Sequence, residues 1–445
     1  MFVVCLFDFA DRAVFAVLAQ TIKVELRLSD FQLGLLQGLA FAFLYALLGL
    51  PLARFAEHAS RLKIISACTA FWSVATLWCG FAQGFIQLAV GRIGVGIGEA
   101  GFLPAANSLV GDRFPRSRRA STMGLIMLGT PAGILTGALI GGHVAEIASW
   151  RHAFFVLGVP GLVTALLVVL LLKEPARGLM DSGSTKKTPA PDFPAFLKAL
   201  RAKPALMFII AGGAMAGFGN TSISQFLAVF LARVHDMDVR ETAAYYGMIS
   251  ATFLTIGLLV GSFGTDWLAR RDARWPAWGG AIGLSMAPLI YFVAFNTQNI
   301  TAATGLLILA GSFLMIFYAP TSGMIQNLLN PRMRATGIAI FAMLYTLVGS
   351  GLGPTFIGFV SDVMSAIAYN GDFAVDCPGG VARDLSDHAL VSACHVATSL
   401  GIKRALMVAV CVFFVASLFY YLASRTLRED FYSPEKDDSA SQGVN

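Results

Sequence analysis

Residues 153–172 read AFFVLGVPGLVTALLVVLLL, twenty positions without one charged side chain, and Lys173 and Glu174 close the run. About twenty apolar residues wound at about 1.5 Å per residue span the roughly 30 Å of a bilayer's hydrocarbon. Such a run has no polar face to offer water, and it lacks the alternation of a barrel strand. It predicts a transmembrane helix.

Working outward, similar windows occupy 1–22, 33–55, 64–83, 85–107 and 120–143 before it. After it they occupy 204–232, 242–268, 276–296, 302–328, 336–364 and 402–424. The expected fold class is therefore an all-α polytopic membrane protein with twelve transmembrane helices in two six-helix, pseudo-symmetric halves. Residues 1–172 form the N-terminal bundle and 173–203, rich in Lys, Pro, Ser and Gly, a cytoplasmic linker. Residues 204–424 form the C-terminal bundle with an outer loop at 365–401, and 425–445 a cytoplasmic tail.

Composition agrees. The 445 residues are 56% hydrophobic and 13% charged, with mean hydropathy +0.71. Soluble domains carry about a quarter charged residues, so this chain cannot clothe a globule in polar groups. The net charge of +6 does not signal nucleic acid, because the basic residues stand in short clusters between apolar runs. No ATP-binding motif, catalytic set or metal pattern is present, and no enzyme activity or cofactor is expected. The first apolar stretch lacks a signal-peptide cleavage site, and a short leader is expected to precede it.

Inner loops of a membrane protein retain positive charge. With the N-terminus inside, inner loops and tail hold 22 of the 32 Lys and Arg, and outer loops hold 8. Both termini are thus expected in the cytoplasm of a bacterial inner membrane. A repeat supports two halves: Pro115-Arg116 to Arg119-Ala120-Ser121 opens the fifth helix, and Pro331-Arg332-Met333-Arg334-Ala335-Thr336 opens the eleventh. Repeats of this kind place a substrate site between the halves near the bilayer midplane. A single chain holding both halves is expected to act as a monomer.

Charges within a bilayer are costly and functional by default. Here they are Asp8, Asp11, Arg12, Arg92 and Glu99, all in the first half. Asp8 and Arg12 are spaced to pair along one helical face. Asp11, Glu99 and Asp8 are candidate proton carriers, and Arg12 and Arg92 candidates to hold an anionic head. A fixed network joining helices 1 and 4 is the alternative. The second half offers Asn220, Gln225, Tyr245, Tyr318 and Tyr345 as a mildly polar, aromatic wall. Such a cavity suits an amphipathic or anionic small molecule or lipid among membrane lipids. In the outer loop, Cys377 and Cys394 are candidates for a disulfide if the compartment is oxidising, with a metal site or free thiols as alternatives. Glycines at 133, 137 and 141, and at 94 and 98, are spaced for close helix contact.

These features resemble the major facilitator superfamily over nearly the whole chain. Its loop signature G-x-x-x-D-R-x-x-R-R/K is matched by Ala53-Arg54-Phe55-Ala56-Glu57-His58-Ala59-Ser60-Arg61, with Glu57 for the usual Asp and His58 for the usual Arg. The echo in the second half holds Asp266 and Arg270. The resemblance implies an inner gate of Glu57, Arg61, Asp266 and Arg270. Asp11-Arg12, Leu28-Ser29-Asp30-Phe31-Gln32-Leu33-Gly34, Gly96-Ile97-Gly98-Glu99-Ala100 and Asp112-Arg113-Phe114-Pro115 are similar to the spinster branch, which includes lysolipid and sphingosine-1-phosphate exporters. It implies a charged core of Asp11, Arg12 and Glu99, with Asp11 responsive to protons. Asp8 stands where that branch commonly has Asn. The expected function is proton-coupled transport of a lysolipid-like or sphingolipid-like substrate by alternating access. Symport of a small organic anion and, in a different class, a lipid scramblase or non-transporting sensor are the competing readings.

Overall fold

The protein is described by a computed structural model covering residues 1–175, 193–330 and 333–432. Twelve long helices, α1–α12, account for the spans. The first half comprises α1 (Phe2–Leu26), α2 (Asp30–Gln37 and Leu39–His58), α3 (Arg61–Phe81), α4 (Phe85–Glu99 and Phe102–Arg113), α5 (Arg116–Met127 and Gly129–Ile147) and α6 (Trp150–Leu171). A short helix, Phe193–Ala202, lies in the linker and buries Phe196. The second half comprises α7 (Pro204–Val234), α8 (Val239–Leu259 continuing to Ala269), α9 (Trp275–Asn296) and α10 (Ile300–Met315 and Tyr318–Leu328). It ends with α11 (Arg334–Leu344 continuing through Tyr345–Leu352 to Gly353–Ala368) and α12 (His388–Thr426). Eleven spans are long and apolar enough to cross a membrane by composition alone. The remaining one, α1, carries Asp8, Asp11 and Arg12.

Side-chain caps set several helix starts, because the first N–H groups of a helix lack internal partners. Ser29 and Gln32 form a reciprocal capping box at α2, and Asp238, Asn299 and Asp387 cap α8, α10 and α12. The Asp387 cap starts α12 fourteen residues before the loop was expected to end. The outer loop expected at 365–401 is therefore confined to the stretch between Ala368 and His388. Hydropathy missed this first part of α12 because it projects beyond the apolar span.

Without a hydrophobic force between helices in lipid, close packing must hold them together. Gly133, Gly137 and Gly141 let α5 lie directly on α1. A side-chain carbon at Gly137 would fall 2.5 Å from the Ala10 backbone. Gly98 brings α4 equally near Trp72 of α3. The halves meet along α2 with α11 and α5 with α8. There Gly34 abuts the Pro354 carbonyl, Gly38 the Gly351 carbonyl, Gly358 the Asp30 carbonyl, and Gly142 the Ala243 methyl. These contacts lie toward the end carrying the α1–α2 turn, here termed the far end. The near end carries the start of α1 and the close of α12.

Interruptions occur in equivalent helices of the two halves. Helix α2 breaks at Gly38 and α8 passes into a wider π-turn at Val260–Gly264. Helix α4 breaks after Glu99, and α10 before Tyr318. Helix α11 widens into a π-turn over Tyr345–Leu352. Such segments survive in a membrane only where their freed polar groups find partners. Thr221 Oγ1 of α7 supplies one, donating to the Gly349 carbonyl at 2.6 Å.

Gly137→Val should force α1 off α5 and destabilise the protein by about 1–3 kcal/mol through overpacking. Gly305→Ala, in α10 with open space around it, should leave the melting temperature in detergent unchanged or raised. Equal melting temperatures for the two variants would contradict the close-packing role.

Candidate functional site

Two groups of ionisable residues, one central and one at the far end, differ in how well they are satisfied. The first is central. Arg12 of α1 donates through Nε to Glu99 Oε2 at 2.8 Å and through Nη2 to Asp8 Oδ1 at 3.1 Å. Its guanidinium lies over the rings of Phe9, Phe41 and Tyr45, at 5.1, 4.7 and 5.3 Å from their centroids. One cation thus serves two carboxylates, and Glu99 Oε1 is buried without a hydrogen-bond partner. Beside it Arg92 Nη1 stands 3.9 Å from Asp11 Oδ2. This is an ion pair without a hydrogen bond, since Arg92 Nη1 and both Asp11 oxygens are buried and unpartnered. Arg92 rests on Phe15 and Phe41 and reaches the Leu36 carbonyl only at 3.5 Å.

The second-half residues expected at the site divide. Asn220 Nδ2 donates to Tyr345 Oη at 3.2 Å, and the Tyr345 and Tyr318 rings meet edge to face at 5.6 Å. Tyr318 is within electrostatic range of Arg12 across the halves. Although both lie within the bundle, the Arg12 side chain is 24% exposed and Tyr318 40% exposed. The space between them is therefore open and not filled by side chains. Gln225 instead reaches the Gln37 carbonyl at the seam between halves. Tyr245 lies outside the group. It sits within two turns of the start of α8 and lines a separate far-end cavity of about 500 Å³ with His235, Asp236 and Lys403.

At the near end Arg61 is fully buried and turned into its own half. It donates to Asp112, to Glu174 Oε1 at 2.7 Å and to the Pro175 carbonyl at 2.9 Å. Asp266 and Arg270 lie at the close of α8, and the Glu57 side chain falls outside the described residues. Arg61 is thus bonded within the first half, to α4 and to the stretch that follows α6. Burial opposes ionisation of Glu174, but N–H groups of Leu62 and Arg61, the Arg61 guanidinium and the Ser60 hydroxyl hold its carboxyl below the ordinary range.

The second group closes the far end. Asp30, fully buried, accepts two bonds from Arg233, Nη1 to Oδ2 at 2.8 Å and Nη2 to Oδ1 at 2.6 Å. It also accepts from Lys23 and, at 2.7 Å, from Ser361 Oγ. Asp362 caps α2 from the opposite half, accepting from the Asp30 and Phe31 amides at 2.9 and 2.8 Å. Arg233 Nε reaches Gln20 at 2.8 Å. Lys23, Asp30, Arg233 and Asp362 were not singled out as site residues. Helix ends drawn from hydropathy put the first three in or beside polar turns, where a charge needs no explanation. The Ser29–Gln32 capping box starts α2 at Asp30, three residues before the window expected from hydropathy, and carries no hint of its cross-half partners.

Twelve spans in two like halves, interrupted near the centre and holding ionised groups there, define a polytopic membrane transporter. The chain belongs to the Major Facilitator Superfamily, whose family model matches residues 1–354. Within it the chain is of the spinster type. It superimposes with a TM-score of 0.85 on the crystal structure of a bacterial homologue of the human lysosomal transporter spinster, inward-facing and unoccupied, at 31% identity over 97% of each chain. It is 31% identical over 366 residues to an MFS-type efflux pump of Mycolicibacterium smegmatis, covering 80% of this chain and 82% of that one. It is 25% identical over 378 residues to the mouse sphingosine-1-phosphate transporter SPNS2, covering 80% and 68%.

Asp30→Ala should cost about 3–5 kcal/mol, because it strands two buried cations, and should lower the melting temperature sharply. Arg240→Ala, which breaks an exposed pair with Glu146 at 3.5 Å, should change stability by no more than about 1 kcal/mol. Glu174 is held below its ordinary range, so its contribution is present above that range and lost as pH falls through the lowered value. Glu174→Gln should therefore destabilise the protein at neutral pH. The gap from wild type should shrink below about pH 4, read as melting temperature against pH.

Proposed function

We propose that the chain is a secondary transporter in which the two halves alternate access to the central group, carrying an amphipathic, lipid-like anion coupled to protons. The observation that carries this reading is Arg12, part exposed and shared between Asp8 and Glu99. The three carboxylates Asp8, Asp11 and Glu99 face two guanidiniums, Arg12 and Arg92, leaving one negative charge in excess. One proton cancels it. A proton on Glu99 or Asp8 also frees Arg12 to meet an anionic headgroup, so proton and substrate favour each other's binding. The apolar tail lies against Tyr318, Tyr345 and Asn220 of the second half. Seams sealed at the far end and the part exposure of Arg12 support a near-end-open state, matching the inward-facing relative if both termini are cytoplasmic. A bacterial inner membrane and a monomer complete the proposal.

The name borne by SPNS2, a sphingosine-1-phosphate transporter, supports an amphipathic substrate, and that of the efflux pump supports transport. Proteoliposomes with an imposed pH gradient test the proposal, with sphingoid phosphates, lysolipids and aromatic acids as separate substrates. The expected result is pH-driven movement of a lysolipid or sphingoid phosphate, depressed about 10-fold or more by Arg12→Ala and Glu99→Gln. Asp11→Asn should abolish or shift the pH dependence. Transport of aromatic acids alone would replace the lipid reading with organic-anion symport. Lipid movement indifferent to the gradient and to all three substitutions would indicate scrambling.

A further inference from the structure

Between α11 and α12 the chain folds into a small lobe with its own core. Cys377 and Cys394 are joined by a disulfide, and Ala382, Tyr369, Phe373, Leu390 and Val391 pack around it. The Tyr369 hydroxyl donates to Asp376 Oδ2 at 3.0 Å, and the Arg383 amide to the Asp376 carbonyl at 2.9 Å. Because Cys394 belongs to α12, the bond ties the lobe to the second half.

The lobe's short turn Pro378–Gly380 reaches the first half. A side-chain carbon on Gly379 would fall 2.5 Å from the Arg27 carbonyl oxygen and 3.1 Å from that of Leu28. One on Gly380 would fall 2.9 Å from Lys23 Nζ. Both glycines have positive φ, 65° and 77°, and the facing Arg27 is itself left-handed at 49°. At Gly379 backbone meets backbone and leaves no room for a side chain, while Gly380 faces the Lys23 and Thr398 side chains and its positive φ disfavours any other residue. Directly beneath lies the Lys23–Asp30–Arg233 clasp, with Asp362 the other charged group at that place.

We infer that the disulfide-bonded lobe is a redox-sensitive latch: it holds the Pro378–Gly380 turn against Arg27 and Leu28, covers the ion clasp, and so stabilises closure of the two halves at the far end. Attraction between Asp30 and its cations is strong while water is excluded and falls as the local dielectric rises. The disulfide closes a 17-residue separation. Its loss releases the chain entropy that pins the turn in place. An external dithiol does this by passing two electrons and two protons to the S–S bond, giving two thiols and its own cyclic disulfide. The inference rests on far-end opening being part of the cycle, and its test does not use transport.

Spin labels on non-canonical amino acids replacing Gln83 and Gln298, exposed in far-end turns of opposite halves, report the distance between the halves. In the full chain, reduction confirmed by thiol count should raise the ratio of long-distance to short-distance molecules by about fivefold or more. Gly379→Val, which keeps the disulfide but pushes the turn off Arg27, should produce the same rise. An unchanged distribution after complete reduction would overturn the latch. So would a rise on reduction that Gly379→Val fails to reproduce, since the bond would then act by some route other than this contact. Either failure leaves proton coupling at Arg12 untouched, because that is read by transport.

Discussion

Hydrocarbon offers no water to solvate an ionised side chain, so each charge inside this bundle depends on another charge or dipole supplied by the protein. Asp30 meets that demand fully. Its two oxygens take Arg233 in a two-pronged bond and add Lys23 and Ser361, while Asp362 of the second half caps the helix that Asp30 begins. These partners come from both halves, so solvating Asp30 properly and closing the far end are the same event.

The central group meets the demand only in part. Arg12 is divided between Asp8 and Glu99, and the Asp11–Arg92 pair lacks a hydrogen bond. All five residues lie on α1 and α4 of the first half. A group left with unpartnered oxygens has capacity for a further proton or ligand, whereas a saturated clasp can only hold or release. The contrast is matched by burial, the Arg12 side chain being part exposed and Asp30 fully buried.

Movement of packed helices also needs places where the backbone yields. Glycines remove side chains at the seam of α2 with α11, and the breaks at Gly38 and the π-turn from Tyr345 occur there. The breaks in α4 and α10 fall beside Glu99 and Tyr318, so residues at the centre sit on short, separately oriented helix segments.

The number of spans, the two-half plan, the glycine faces of α4 and α5, and the intramembrane charges were all legible in the chain. Each depends on local composition and helical period, and an ionised residue within an apolar run is conspicuous wherever it later points. The sequence could also pair Asp8 with Arg12, because one helix turn separates them. It could not assign Glu99 to Arg12 rather than to Arg92, turn Arg61 toward Glu174, or remove Tyr245 from the centre. Nor could it find the Lys23–Asp30–Arg233 clasp, whose members are up to about two hundred positions apart and sit at helix ends where charge is ordinary. Hydropathy records whether a residue enters the bilayer. Which charges neutralise each other was decided only by the tertiary structure, because ion pairing depends on distances of a few ångströms between helices that the chain order does not set.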